Sequence, residues 1–111
     1  MALFSQENYY GNVEYKLLFN VRTKFRLDKY ITQLNYRINE GNGYAIYIIG
    51  ITDEGYVVGL DDSTLKYNLE LIHFMSNKIN SKVSIVLNCK YENKDFFIVK
   101  IVSENYQPIL F

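Results

Sequence analysis

Tyr44-Ala45-Ile46-Tyr47-Ile48-Ile49-Gly50-Ile51 is an almost unbroken apolar run. It is too short for a free-standing helix and rich in Ile, so it reads as a central strand covered on both faces. Immediately upstream, Leu27, Ile31, Leu34 and Ile38 recur at the spacing of one helical face, which predicts a helix from Lys24 to Glu40. Gly41 is placed to stop that helix, because glycine accepts the left-handed backbone of a helix end. Asn42 and Gly43 extend the break. Before the helix, Asn12 to Phe19 alternates with period two. Val13, Tyr15, Leu17 and Phe19 fall on one face, and Glu14, Lys16 and Leu18 on the other, as in a half-buried strand.

Downstream of the central run, Thr52-Asp53-Glu54-Gly55 reads as a turn and Tyr56-Val57-Val58-Gly59-Leu60 as a return strand. Asp61, Asp62 and Ser63 are N-cap residues for a second helix to Ile79, striped by Leu65, Leu69, Ile72 and Ile79. Val83, Ile85, Leu87 and Cys89 then alternate with polar neighbours. Glu92-Asn93-Lys94 is a polar turn, and Asp95 to Val102 is the last strand. The tail from Ser103 contains the only Pro, Pro108, and ends on Ile109-Leu110-Phe111, which needs a surface to cover it. The expected fold is α+β, in the order β-α-β-β-α-β-β, with two helices packed on one face of a mixed sheet.

Domains commonly run to roughly 100–200 residues. The 111 residues therefore form a single domain, 1–111, with a C-terminal hairpin at 83–102 and a short tail at 103–111. The 12 basic and 12 acidic residues balance to zero, which excludes a strongly basic nucleic-acid binder but leaves room for a local patch. One Cys excludes an internal disulfide and a Cys-based zinc site. No apolar run approaches the roughly 20 residues of a membrane helix, and Met1 to Glu7 does not read as a signal peptide, so the expectation is a cytoplasmic domain without a membrane partner. The 11 Tyr and 7 Phe fit either an A/T-rich coding bias or an aromatic surface that stacks bases.

No P-loop pattern is present, so no nucleotide hydrolysis is expected from these residues. His73 stands alone beside the second helical stripe, and Cys89 reads as a small core residue. Glu14 and Lys16 share one strand face and Asp53 lies at a turn. They read either as solvated polar positions or as carboxylates that hold a divalent ion for phosphodiester hydrolysis. Arg22, Lys24, Arg26 and Lys29 cluster around the start of the first helix, with Arg37 further along it. They are either its polar face or a set of phosphate contacts.

The run Gly11-Asn12-Val13-Glu14-Tyr15-Lys16-Leu17, the run Ile31 to Gly43, and Ala45 to Ile51 with Asp53, Gly55, Gly59 and Leu60 together resemble the N-terminal domain of the GTP-binding protein 1 and 2 family. These are elongation-factor-like GTPases related to elongation factor 1-alpha, linked to translation, ribosome stalling and RNA turnover. The resemblance spans roughly residues 11–80. Tyr36 stands where the family has Trp in its T-Q-x-x-W-R motif. The GTPase core that follows this domain in the family is not in the 111 residues, so GTP and magnesium binding carry over onto none of them, and the resemblance implies either an excised domain with a GTPase core as its partner in cis or a stand-alone relative.

A more distant resemblance is to the Schlafen or AlbA-like domain, carried by Glu14-Tyr15-Lys16 and by Ile49-Gly50-Ile51-Thr52-Asp53-Glu54-Gly55. Some of its members cut tRNA or rRNA with three acids. Glu14 and Asp53 match two of them, and Tyr9 occupies the position of the other. Glu7 lies two residues off, which in an extended segment is a displacement of about 6–7 Å. The resemblances imply a non-catalytic accessory domain of a translational-GTPase-like protein that docks to RNA, the ribosome or a partner protein through Arg22, Lys24, Arg26, Lys29 and Arg37. The alternatives are a Schlafen-like nuclease using a divalent metal at Glu14 and Asp53, with Lys16, and a plain protein-interaction domain.

Overall fold

The structure, a computed structural model, describes residues 2–105. The apolar tail residues Ile109 to Phe111 and Pro108 lie outside the described residues. Six elements follow one another: β1 (Val13–Lys16), α1 (Lys24–Glu40), β2 (Tyr44–Ile49), α2 (Asp62–Lys78), β3 (Ser81–Tyr91) and β4 (Lys94–Ser103). The sheet order is β1-β2-β4-β3. β1 runs parallel to β2, which requires the α1 crossover between them, and the β2–β4 and β3–β4 pairs are antiparallel. The expected α+β architecture with a mixed sheet and two helices is present. Among the described residues no helix is long and apolar enough to cross a membrane.

Both helices begin at side-chain caps. Thr23 Oγ1 accepts from Arg26 N at 3.1 Å, and Asp61 Oδ1 accepts from Thr64 N at 2.8 Å. Their apolar stripes lie on one face of the sheet, where Tyr30, Leu34 and Ile38 of α1 and Leu65, Ile72 and Met75 of α2 meet Ala45, Tyr47 and Ile49 of β2 and Phe97, Val99 and Ile101 of β4. The opposite face carries a smaller cluster of Tyr15, Ile48, Ile51, Val57 and Phe96, roofed in part by Phe4. Asn68 is fully buried in α2, where its Oδ1 accepts from Phe19 N at 2.5 Å and its Nδ2 donates to Thr64 O at 2.8 Å. That pair of bonds ties the β1–α1 connection to α2.

Three local expectations are corrected. Tyr56 to Leu60 is not a strand; only the single bridge Ile51–Val57 forms. β2 has β1 on one edge and β4 on the other, so a returning segment finds no free edge. Instead Gly50 O accepts from both Val58 N and Gly59 N at 3.0 Å, and Leu60 N crosses to Asp95 O at 3.0 Å. β1 is also shorter than its alternation: the chain leaves the sheet after Lys16, and Phe19 turns into the helix-side core, stacked on Tyr47 at 6.1 Å. Finally, a bulge between Val83 and Ile85 splits the β3 pattern. Val83 packs with the helix-side core, while Ile85 and Leu87 face away from it with Cys89.

Candidate functional site

At the free edge of β1, the segment preceding the strand folds back over the space between α1 and the loop after β2. Glu7 N donates to Asp53 O at 2.7 Å, and Leu3 N and Phe4 N both donate to Gly55 O, at 3.1 and 3.2 Å. Gly55 has φ +93, and a Cβ there would stand 2.1 Å from Phe4 O, so only glycine permits this close passage. The Glu7 carboxylate then takes the role of a neighbouring strand: its Oε2 accepts from Tyr15 N at 2.5 Å on the unpaired edge of β1.

Arg37 holds this strap in place. Its Nε donates to Glu14 Oε1 at 2.9 Å, its Nη1 to Gly11 O at 2.8 Å and its Nη2 to Asn8 O at 2.9 Å, with Glu7 Oε2 a further 3.9 Å from Nη2. Arg37 is 3% exposed and Glu14 2%. Lys16 Nζ lies 3.8 Å from Glu14 Oε2, so both oxygens of that carboxylate face cations. Beside Arg37, Tyr36 OH donates to Tyr9 O at 3.2 Å, and one turn further along α1 Glu40 Oε1 accepts from Gly11 N at 3.2 Å, which closes the strap on the helix.

The result is a pocket of about 260 Å³ in which Glu7, Glu14 and Asp53 share walls with Lys16 and Arg37. Glu7 belongs to this acid group even though spacing placed it too far away. The stretch after it is not extended: Tyr10 N donates to Asn8 Oδ1 at 3.1 Å, and Gly11 has φ +89. These turns draw Glu7 in, while the Tyr9 side chain points largely to solvent. Burial pushes the Glu7 carboxyl up to about 7; its bond from Tyr15 N pulls down, and the Glu14 and Asp53 carboxylates push up again. Among the described residues no three acidic, His or Cys side chains converge closely enough to hold a metal ion.

The basic residues named from sequence divide into two groups. Arg22, Lys24, Arg26 and Lys29 are exposed at the N-terminal end of α1. Arg37 does not belong with them: it is buried, and its guanidinium is spent on Glu14 and the strap. Likewise Glu14 and Lys16 do not form a solvated strand face, because Glu14 points under α1. Sequence spacing missed the groove of about 820 Å³ beside the acid pocket. It is lined by Phe25, Arg26, Lys29, Tyr30 and Tyr36 of α1 and by Lys16 of β1. Phe25 there is 73% exposed, and Lys29 Nζ stands 5.5 Å from its ring centroid. His73 is exposed on α2, away from both sites.

No known family profile matches the chain, and no solved structure matches it. GTP-binding protein 2 of Homo sapiens and that of Mus musculus are each 34% identical to it over 76 residues, covering 68% of this chain. An uncharacterised protein of Acanthamoeba polyphaga mimivirus is 31% identical over 85 residues, or 76% of this chain. The chain spans 13% of the length of GTP-binding protein 2 and 46% of the viral protein. By sequence, then, the domain built around these two sites is similar to a small segment of GTP-binding protein 2, consistent with the N-terminal domain of the GTP-binding protein 1 and 2 family.

Proposed function

We propose that this chain is a non-catalytic accessory domain of a translational-GTPase-like protein and that it docks that protein to RNA. The similarity to a small segment of GTP-binding protein 2 supports the accessory role. The observation that carries the RNA partner is the grouping of Arg22, Lys24, Arg26 and Lys29 on one exposed end of α1, none of them in an ion pair with a described residue, on a chain whose net charge is zero. Cations kept free of carboxylates in this way suit phosphates. Fluorescence anisotropy with labelled structured RNA at increasing salt tests the reading. Each phosphate contact adds about 0.7–0.9 to the log–log slope, so Lys24→Ala with Arg26→Ala lowers it by at most about 2. An unchanged slope and affinity in the double variant would remove the patch from the interface.

A second reading, a Schlafen-like ribonuclease dependent on a divalent metal, draws on the meeting of Glu7, Glu14 and Asp53 with Lys16 in one pocket. The arrangement supports it less, because Arg37 and Lys16 already occupy the Glu14 oxygens and the Glu7 carboxylate is bound to Tyr15 N. The two readings separate on whether bound RNA is cut.

A further inference from the structure

We infer that the groove along α1 takes an unpaired strand of RNA, with bases stacked on Phe25 and Tyr36 and phosphates beside Arg26 and Lys29. This rests on the RNA-docking reading and narrows it from RNA in general to single-stranded RNA at a defined surface. Phe25, Lys29, Gln33 and Tyr36 recur at helical spacing, so their side chains form one stripe along the groove side of α1. The floor is Tyr30, with Lys16 Nζ 5.2 Å from its ring centroid.

Two features select the ligand. The first is the exposure of the rings. Phe25 is 73% exposed and Tyr36 41%, and neither ring belongs to the hydrophobic clusters on the two faces of the sheet. An exposed phenyl ring in a groove offers a flat π-face, and every nucleobase has one to match. The second is charge. Lys16, Arg26 and Lys29 face the groove against a single acid, Asp28, and Arg26 has no ion pair with a described residue. An apolar peptide helix would make no use of this cationic margin. A duplex keeps its bases stacked on one another, so it would touch the cations but leave the rings unused.

The groove also continues into the acid pocket, because Lys16, Gln33 and Tyr36 line both. Tyr9, 85% exposed, stands at the far end with its carbonyl bonded to Tyr36 OH. Tyr9 therefore adds another exposed ring beside Tyr36, and the Asp53 carboxylate in the adjoining pocket disfavours phosphates there.

The test measures anisotropy of three labelled probes with the native chain and Phe25→Ala: a single-stranded RNA, the same sequence as a duplex, and an abasic strand that keeps the phosphates. Phe25 is exposed enough for the variant to fold, which far-ultraviolet circular dichroism checks. The single strand should bind more tightly than the duplex or the abasic strand. Phe25→Ala should weaken the single strand alone by about 5- to 150-fold, the range expected for loss of one base stack. Lys29→Ala should reduce the salt slope on the single strand by about 0.7. A duplex bound as well as the single strand, or a single strand indifferent to Phe25→Ala, overturns this inference and leaves RNA docking standing. Failure of every probe to bind overturns both and leaves the groove to a protein partner.

Discussion

Sequence spacing sets Arg37 among cations that meet a ligand, and its neighbours in the fold give it a different task. It makes hydrogen bonds to a buried carboxylate and to two strap carbonyls, so it fixes β1, α1 and the N-terminal segment at one point. Arg37→Met should cost about 3–5 kcal/mol, because it leaves the Glu14 carboxylate buried with only Lys16 at 3.8 Å. Pairing it with Glu14→Gln should restore part of that loss; urea unfolding of the single and double variants measures both. Glu7 supplies a second residue-scale prediction. Its carboxyl is raised to about 7 in the folded chain, against a value near 4.5 for a free glutamate. The groups facing it are Glu14 and Lys16 of β1, Arg37 of α1 and Asp53 of the following loop. A raised carboxyl binds its proton more tightly when folded. Its stabilising contribution is therefore complete below the unfolded value and is lost as pH rises through the folded one. Between about pH 4.5 and 7 the native chain should lose stability as pH rises, and Glu7→Gln should flatten that part of the thermal-midpoint profile. An equally steep profile in Glu7→Gln would assign the dependence to another group.

At the scale of elements, what could be read from the sequence was what local periodicity encodes. α1 spans Lys24–Glu40 as its apolar spacing and Gly41 indicate, α2 ends within a residue of its expected stop, and β2 is the central strand that its apolar run implies. The candidate site was half legible: Glu14, Asp53 and Lys16 do share a pocket. Glu7 was not, because its position depends on a side-chain turn at Asn8 and on Gly11, which strand counting ignores. The misplaced return strand at Tyr56 to Leu60 failed for a tertiary reason, since the availability of a sheet edge is not written in the segment itself. The β3 bulge failed for a similar one: Ser84 adds a residue without disturbing the apparent alternation. The strap is the element that sequence reading overlooked, and Gly55 is where it can be tested. Gly55→Ala places a Cβ against Phe4 O at a backbone angle that alanine resists, and should destabilise by more than about 1 kcal/mol. Hydrogen exchange at Leu3, Phe4 and Glu7 should accelerate while the α2 amides stay protected. Uniform acceleration across the chain would mean that the strap is not a separable unit.

The whole molecule has two unlike sides. Helices cover most of one face of the sheet, while Phe4 and the segment from Ile51 to Val57 cover only part of the other, leaving Ile85 and Leu87 exposed. The ionic features gather at the β1 edge, where a cation-lined groove adjoins a carboxylate pocket. That adjacency is what a docking domain and a nuclease would have in common, so the two accounts differ in one outcome. Structured RNA incubated with the native chain in Mg²⁺ or Mn²⁺ can be divided between a native gel, which reads binding, and a denaturing gel, which reads strand integrity. The docking account predicts a salt-sensitive mobility shift with the RNA intact, the same in the native chain and in Asp53→Asn, an exposed position whose substitution leaves the fold in place. Cleavage by the native chain that disappears in both Asp53→Asn and Glu7→Gln would contradict it and make the acid pocket a catalytic centre.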